Sequence, residues 1–253
     1  MNVNVTGPFI YFTIPIFGGI PITQTTVSLL IITILLCSLS VYLGKGLKKR
    51  PGGKQVLVEK GITMMHNMVI DTMGAHNAHW TPFIIVLFVS SICGSLIGMT
   101  GFLRSATADL SCTITWAVMV TAIIWYNNIK NNGFAGWLKG FTEPVAVMTP
   151  MNIVSELANP ISMAFRHFGN IAGGSVLTTL LYSALAALSA FVLQWIPVTF
   201  INTIPIFQLG IPAFLSIYFD LFSGFVQALV FSMLTMVYVG GAFPPKDELT
   251  LNK

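Results

Sequence analysis

Charge is the scarcest property of this sequence. Only 8% of its 253 residues are Asp, Glu, Lys or Arg, against about a quarter in an average soluble domain. Hydrophobic residues make up 55%, and several apolar runs reach the roughly 20 residues that cross a bilayer as a helix. No run shows the alternating pattern of an outer-membrane barrel. The sequence therefore predicts an all-α membrane protein and excludes an ordinary soluble domain.

Cysteine is sparse as well, and basic residues are missing from the first twenty positions. Cys37, Cys93 and Cys112 stand singly among apolar residues, which provides no disulfide framework and no zinc motif. The N-terminal segment contains Pro8 and Pro15 and no basic n-region. Neither a signal peptide nor a transit peptide is expected, which favours the inner (plasma) membrane of a bacterium or an organelle-encoded chain.

Five apolar segments are long enough to span a membrane, within a single integral membrane domain, 1–253. Five basic side chains lie between Gly44 and Lys54, so the positive-inside rule places this loop in the cytoplasm and the N-terminus outside. Residues 54–75 mix polar and apolar side chains at helical spacing, which predicts an amphipathic helix on the cytoplasmic membrane surface. The predicted spans are 22–43, 82–102, 109–129, 144–196 and 205–241.

The distribution of basic residues agrees with that topology. Of twelve Lys and Arg residues, only Arg104 falls on the outer side and only Arg166 falls within a span. The C-terminal tail is then cytoplasmic, and the net charge of +4 gives no reason to expect nucleic acid binding. The segment 144–196 exceeds a perpendicular crossing, since a helix rises about 1.5 Å per residue. We expect the last two membrane helices to be long and strongly tilted.

Three ionisable residues, Glu156, Arg166 and Asp220, fall inside these two late segments. A charge at mid-membrane costs about 2.5 to 3.5 kcal/mol on insertion scales, so each is expected to face protein or water and to serve a function. The alternative is that a long side chain such as that of Arg166 or Glu156 reaches the interface. His76 and His79, with His66 and Asp71 upstream, could suggest a metal site, but they lie at the end of a predicted surface helix without a fourth clustered ligand, and we predict no metal site.

Helical spacing gathers polar and small residues into two stripes. Two such helices packed together would line an aqueous path or present a charge to a partner. Gly173 and Gly174 favour close approach of another helix, although packing within this chain would also explain them. The first stripe contains Asn159, Ser162, Arg166, Asn170 and Gly173, and the second contains Asp220, Ser223, Gly224 and Gln227.

Two sequence elements together resemble one protein family. The first is Arg166-His-Phe-Gly-Asn170, preceded by Asn159-Pro-Ile-Ser162 and followed by Ala172-Gly-Gly174. The second runs from Gln227 to Tyr238 and begins Gln-Ala-Leu-Val-Phe. Both resemble subunit a of the F-type rotary ATP synthase, and the similarity extends over nearly the whole chain, including 107–113 and 140–144.

The resemblance implies a role for each site residue. Arg166 would be the stator arginine facing the ring of c subunits, with Asn170 and Gln227 beside it. Many family members have an acid at the position of Ser175, whereas here the acid is Asp220, which we expect to relay ions in the outer half-channel. The remaining predicted roles are a rotor-facing surface at Gly173 and Gly174 and an ion-path lining of Glu156, Asn159, Ser162, Ser175 and Ser223.

The resemblance also implies the partners. These are the c-subunit ring, the peripheral stalk subunit b, the F1 sector through the complex, and the lipid bilayer. The transported ion would be H⁺ or Na⁺, with no cofactor. No Gly-x-x-x-x-Gly-Lys-Ser/Thr run is present, so the chain is not expected to bind ATP or to be an enzyme on its own. The alternatives are an ion-coupled secondary transporter and a subunit of a respiratory complex.

Overall fold

Six α-helices form most of the described protein. The computed structural model describes residues 9–15, 19–100, 102–142, 145–193 and 217–243. Within these residues, five helical segments are long and apolar enough to cross a membrane, which confirms the predicted all-α membrane class. The helices are α1 Gln24–Gly44, α2 Gly53–Met73, α3 Thr81–Leu96, α4 Leu110–Gly140, α5 Thr149–Leu193 and α6 Ser223–Ala242.

Local sequence signals explain where several helices begin. The Thr23 hydroxyl accepts a hydrogen bond from the backbone N–H of Thr26 at the start of α1. The Asp109 carboxylate accepts one from the N–H of Ser111 at the start of α4. Such side chains satisfy N–H groups that have no partner within the helix. Pro82 lies in the first turn of α3, where its missing N–H costs nothing.

A short β-hairpin precedes α1 and was not predicted. Strand β1, Ile10–Ile14, pairs antiparallel with β2, Ile20–Thr23. The segment of β1, Ile-Tyr-Phe-Thr-Ile, has the β-branched and aromatic residues that are typical of strands. Sequence reasoning considered this region only as a targeting signal and therefore missed the hairpin.

Helix α6 lies at the centre of the bundle and contacts α2, α3, α4 and α5. Its buried Phe231, Met236 and Val239 join the hydrophobic core with residues of all four neighbours. Side chains from outside α6 also satisfy its last carbonyls, because Asn77 donates to the oxygen of Phe243 and Asn127 to that of Ala242. Helix ends otherwise leave such carbonyls without partners.

Helix α2 is amphipathic, as the sequence predicts, but part of it belongs to the core. Met65, Val69 and Met73 are spaced four residues apart and are all buried, and α2 packs on α3 and α6. Its first half instead exposes Val56 and Leu57. Its position on the membrane surface stays a prediction.

Helix α5 is continuous over its 45 described residues and contains Pro160 in its interior. At about 1.5 Å per residue it is about 68 Å long, roughly twice the hydrocarbon thickness. Because the helix is continuous from 149 to 193, it has no break in that range. A helix of this length fits within a bilayer only if it is tilted or bent. Residue 144 and residues 194–196 of the predicted 144–196 segment, and residues 205–216 of the last predicted span, lie outside the described residues.

Helix α4 runs further than the predicted end at 129. It continues to Gly140, with a kink at Gly133, whose φ of 71° lies in the left-handed region. This conformation is favourable mainly for glycine. The polar residues from Asn127 to Asn132 extend the helix beyond its apolar part.

Two neighbouring glycines of α6 provide a direct test of its packing. A Cβ added at Gly240 would lie 3.2 Å from Cγ and 3.3 Å from Cα of Met73, whereas one at Gly241 would meet no atom within 4 Å. Gly240→Val should therefore lower the free energy of unfolding by about 1–3 kcal/mol through overpacking against α2. Gly241→Val should change it by less than about 0.5 kcal/mol. Thermal unfolding of the purified chain in detergent measures both, and equal shifts would contradict the close α2–α6 contact.

Candidate functional site

Arg166 lies on a face of α5 that no other described helix covers. Ser162, Arg166 and Asn170, four residues apart, are all exposed, whereas Ala164 and His167 on the other side are fully buried. A Cβ added at Gly173, one turn further along, would meet no atom within 4 Å. This open polar face, defined by Ser162, Arg166, Asn170 and Gly173, has room for a closely packed helix of another protein.

The charge of Arg166 is not neutralised within the described part of the chain, where it forms no hydrogen bond or ion pair with another residue. An unpaired charge in an apolar environment is costly. A guanidinium on a membrane-spanning helix is thus expected to meet an anion or water supplied from outside this chain.

The two polar stripes meet at one hydrogen bond. Nδ2 of Asn170 donates to Oε1 of Gln227 at 2.6 Å. Gln227 is 3% exposed, so its amide is held inside the α5–α6 contact while Asn170 remains at the open polar face. The bond ties the position of that face to the central helix α6.

Glu156 lines a cavity between α4, α5 and α6. The Glu156 cavity has a volume of about 200 Å³, and Asn128, Asn159 and Tyr238 also line it. Nε1 of Trp125 donates to Oε1 of Glu156 at 2.6 Å. Asn128 and Glu156 also line an adjoining pocket of about 360 Å³. Both volumes lie beside the first part of α5 and share the polar side chains of Asn128 and Glu156.

A second cavity lies further along α5, against the start of α6. The Ser223 cavity has a volume of about 400 Å³ and is lined by Gly169, Asn170, Gly173, Gly174 and Ser223 among others. Ser175 is exposed next to this region, and its hydroxyl donates to the carbonyl of Ala172 at 2.8 Å. Asp220 belongs to a π-helical turn, Ile217–Phe222, but its side chain lies outside the described part of the structure.

Arg166 occupies the stretch of α5 between the two cavities and lines neither. The Glu156 cavity includes α5 residues up to Met163, and the Ser223 cavity begins at Gly169. Ions entering the two cavities would therefore approach Arg166 from opposite directions along the helix.

His167 contacts three helices from one position on α5. The sequence alone leaves it as either a packing or a surface residue, and the structure shows that it packs, since it is fully buried. Its Nε2 lies 3.1 Å from Oγ of Ser91 in α3, and its ring centroid lies 6.0 Å from that of Trp116 in α4 and 5.4 Å from that of Phe231 in α6. One imidazole thus contacts three helices and keeps the adjacent Arg166 on the outward side.

A signal for this burial was present in the sequence. Met163, Ala164 and Ile171 lie three or four residues from His167, and all are buried. Residues at these spacings share one helix face. The apolar stripe therefore indicated the packed side of α5, even though it did not identify Ser91 as the partner.

Comparisons with known proteins give one consistent result. A family model described as ATP synthase A chain matches residues 25–240. The chain is 30% identical over 246 residues to "ATP synthase subunit a, sodium ion specific" of Propionigenium modestum, covering 91% of this chain and 78% of that protein. It is 33% identical over 229 residues to ATP synthase subunit a of Listeria welshimeri, covering 86% of this chain and 87% of that one.

A double-mutant cycle tests the contact between His167 and Ser91. His167→Leu, Ser91→Ala and the combined variant should show a coupling energy of about 0.6 kcal/mol, and at most about 1.7, as found for hydrogen bonds between membrane helices. Thermal unfolding of the purified chain in detergent provides the measurement.

Ser28 supplies the matched control for that cycle. It is also fully buried, but its hydroxyl bonds to the carbonyls of Gln24 and Arg104. Ser28→Ala combined with His167→Leu should be additive within about 0.3 kcal/mol. Equal coupling in both cycles would show that His167 affects the bundle globally and not through Ser91.

Proposed function

This chain belongs to the ATP synthase A chain family, and we propose that it is the stator subunit of the Fo motor. It provides two half-channels for H⁺ or Na⁺ and a fixed positive charge that exchanges ions on the carboxylates of a rotating c-subunit ring. The observation that carries the proposal is the position of Arg166, on an open face of α5 between two separate cavities.

The need for a charge follows from the cost of moving a carboxylate through lipid. A rotor carboxylate crosses hydrocarbon only when its ion neutralises it, because an isolated carboxylate there is far less stable than in water. A nearby cation favours the ionised form. When a rotor carboxylate reaches Arg166 it therefore releases its ion to one cavity, and it reloads from the other cavity after passing.

Arginine suits this task better than lysine. A guanidinium stays protonated even when it is partly desolvated, whereas a buried ammonium readily loses its proton. A permanent positive charge also opposes direct passage of cations from one cavity to the other, as fixed charges do in other selective pores. Ions then cross only by travelling with the rotor.

The positive-inside topology assigns each cavity to one side of the membrane. With the N-terminus outside and the C-terminus in the cytoplasm, α5 runs from the cytoplasm outwards. The Glu156 cavity, with Asn159, is then the cytoplasmic half-channel. The Ser223 cavity is the outer one, where the Ser175 and Ser223 hydroxyls and Asp220 relay ions.

The open polar face supports a partner in the membrane. Gly173 leaves space at that face, as a closely packed c-subunit helix would require. A secondary transporter, by contrast, encloses its solute between its own helices. In the complex the chain would also contact the peripheral stalk subunit b and act on the F1 sector only through the assembly, with no cofactor and no catalysis of its own.

Coupling through rotation agrees with the energy of ion movement. One elementary charge moving through 100 mV releases about 2.3 kcal/mol, so several ions must cross for each ATP made. A rotating ring that binds one ion per step can add the energy of several ions before each ATP is made. The sodium specificity named for the Propionigenium modestum relative is compatible with either ion here.

Arg166→Ala in the assembled complex tests the central role. In inverted bacterial plasma-membrane vesicles, ATP-driven ion pumping should fall to background, with or without a new passive leak, because rotor carboxylates no longer release their ions. Lys130→Ala removes one positive charge from α4, away from the open polar face, and should pump normally. Normal pumping by the Arg166 variant, with the subunit present in the complex, would overturn the proposal.

Asp220→Asn tests the outer relay. The amide keeps the size of the side chain and removes its charge, so ATP-driven pumping in vesicles should slow by about 10-fold or more, the scale of losing a proton-transfer group. Asp71→Asn, on the exposed side of α2, is the matched control and should leave the rate unchanged. An unaltered rate in the Asp220 variant would remove that residue from the relay without affecting the role of Arg166.

A further inference from the structure

A cavity at the junction of α1 and α2 has no part in the proposed ion path. Its volume is about 690 Å³, and its lining comes from the last turn of α1, the loop after it and the first turns of α2. Helix α1 buries only Thr25, Ser28 and Ile32, all in its first half. Its second half is therefore not packed against the bundle, and a wedge-shaped space lies between α1 and α2.

The cavity is amphiphilic. Leu43, Leu47, Val58 and Ile62 supply apolar wall, whereas Lys45 and Lys54 supply ammonium groups. The segment from Gly44 to Lys54 contains five basic residues and no acidic one. Because α1 is a membrane-spanning helix by length and hydropathy, its end places this loop at the level of lipid headgroups.

The loop that carries the lysines is held in place by the chain itself. Oε1 of Gln55 accepts from the backbone N–H of Lys48 at 3.2 Å, and Nε2 of Gln55 donates to the carbonyl of Lys48 at 3.1 Å. Gly46 adopts a φ of 79°, which allows the tight turn after α1. The single carboxylate of the lining, that of Glu59, accepts a hydrogen bond from Gln55 at 2.6 Å.

We propose that this cavity binds one phospholipid with an anionic headgroup. The lipid phosphate lies between Lys45 and Lys54, and an acyl chain follows the apolar wall between α1 and α2. Charge complementarity favours this occupant. The lining has two lysines and only one carboxylate, that of Glu59, which already accepts a hydrogen bond from Gln55, so a neutral lipid or an apolar helix would leave its net positive charge unmatched. Basic pockets between membrane helices on the cytoplasmic side bind such headgroups in other proteins. The inference stands independently of the half-channel proposal.

The experiment compares two pairs of lysine substitutions in the intact complex. Lys45→Gln with Lys54→Gln removes two charges that line the cavity. Lys48→Gln with Lys49→Gln removes two charges from the loop between α1 and α2 that do not line it. Each complex is reconstituted in nanodiscs of phosphatidylcholine with about one tenth phosphatidylglycerol. The phosphatidylglycerol retained after re-extraction into detergent is counted by mass spectrometry.

The first pair should reduce retained phosphatidylglycerol by about tenfold, and the second by less than about twofold, because only the first removes contacts to the bound phosphate. Equal losses would mean that the loop attracts anionic lipid only diffusely, and no loss from the first pair would mean that no such site exists. Either result would overturn the proposal.

A further variant tests the acyl-chain wall without changing charge. Ile62→Trp places an indole in the cavity and should displace the lipid to a similar extent, whereas Met64→Trp, exposed on the same helix and outside the lining, should not. Retention unchanged by Ile62→Trp would contradict insertion of the chain. A photocrosslinker at Leu43 should capture lipid, and capture of a protein helix there would overturn the assignment.

Discussion

The described residues are arranged around the positive charge of Arg166, which lies on a helix long and apolar enough to cross a membrane. Arg166 faces outwards from α5 and has no ionic partner within the described residues. Such a charge is tolerated only when water or an anion from another molecule meets it. The open face at Ser162 and Gly173 and the cavities on either side of the arginine leave room for such a partner.

The rest of the bundle keeps the charge in position. The central helix α6 packs on four neighbours, and its Gln227 binds Asn170 one turn from Arg166. On the other side of α5, His167 contacts α3, α4 and α6 at once. A rotation of α5 would break these contacts together, so the direction of Arg166 is determined by packing that the arginine itself does not share.

The helices at the edge of the bundle pack less closely than the central ones. Helix α1 and the first half of α2 contribute little to the core, and the wedge between them has apolar walls and a basic rim. Lys45 and Lys54, two of the basic residues from which the positive-inside rule predicts the orientation of the chain, thus also line a defined cavity. In our two proposals the α1–α2 junction binds lipid, whereas the open polar face of α5 binds another protein.

The sequence by itself determined the membrane class, the helices and the two polar stripes, because apolar length and helical period are properties of each segment alone. It did not reveal the β-hairpin, the extension of α4 to Gly140, the bond from Trp125 to Glu156 or the three-helix contact of His167. The tertiary structure decided those contacts, and it decided that the stripe of Arg166 stays open while Gln227 is buried. Helices of similar apolarity can pack in many ways, and only the complementary shapes of distant segments select one of them.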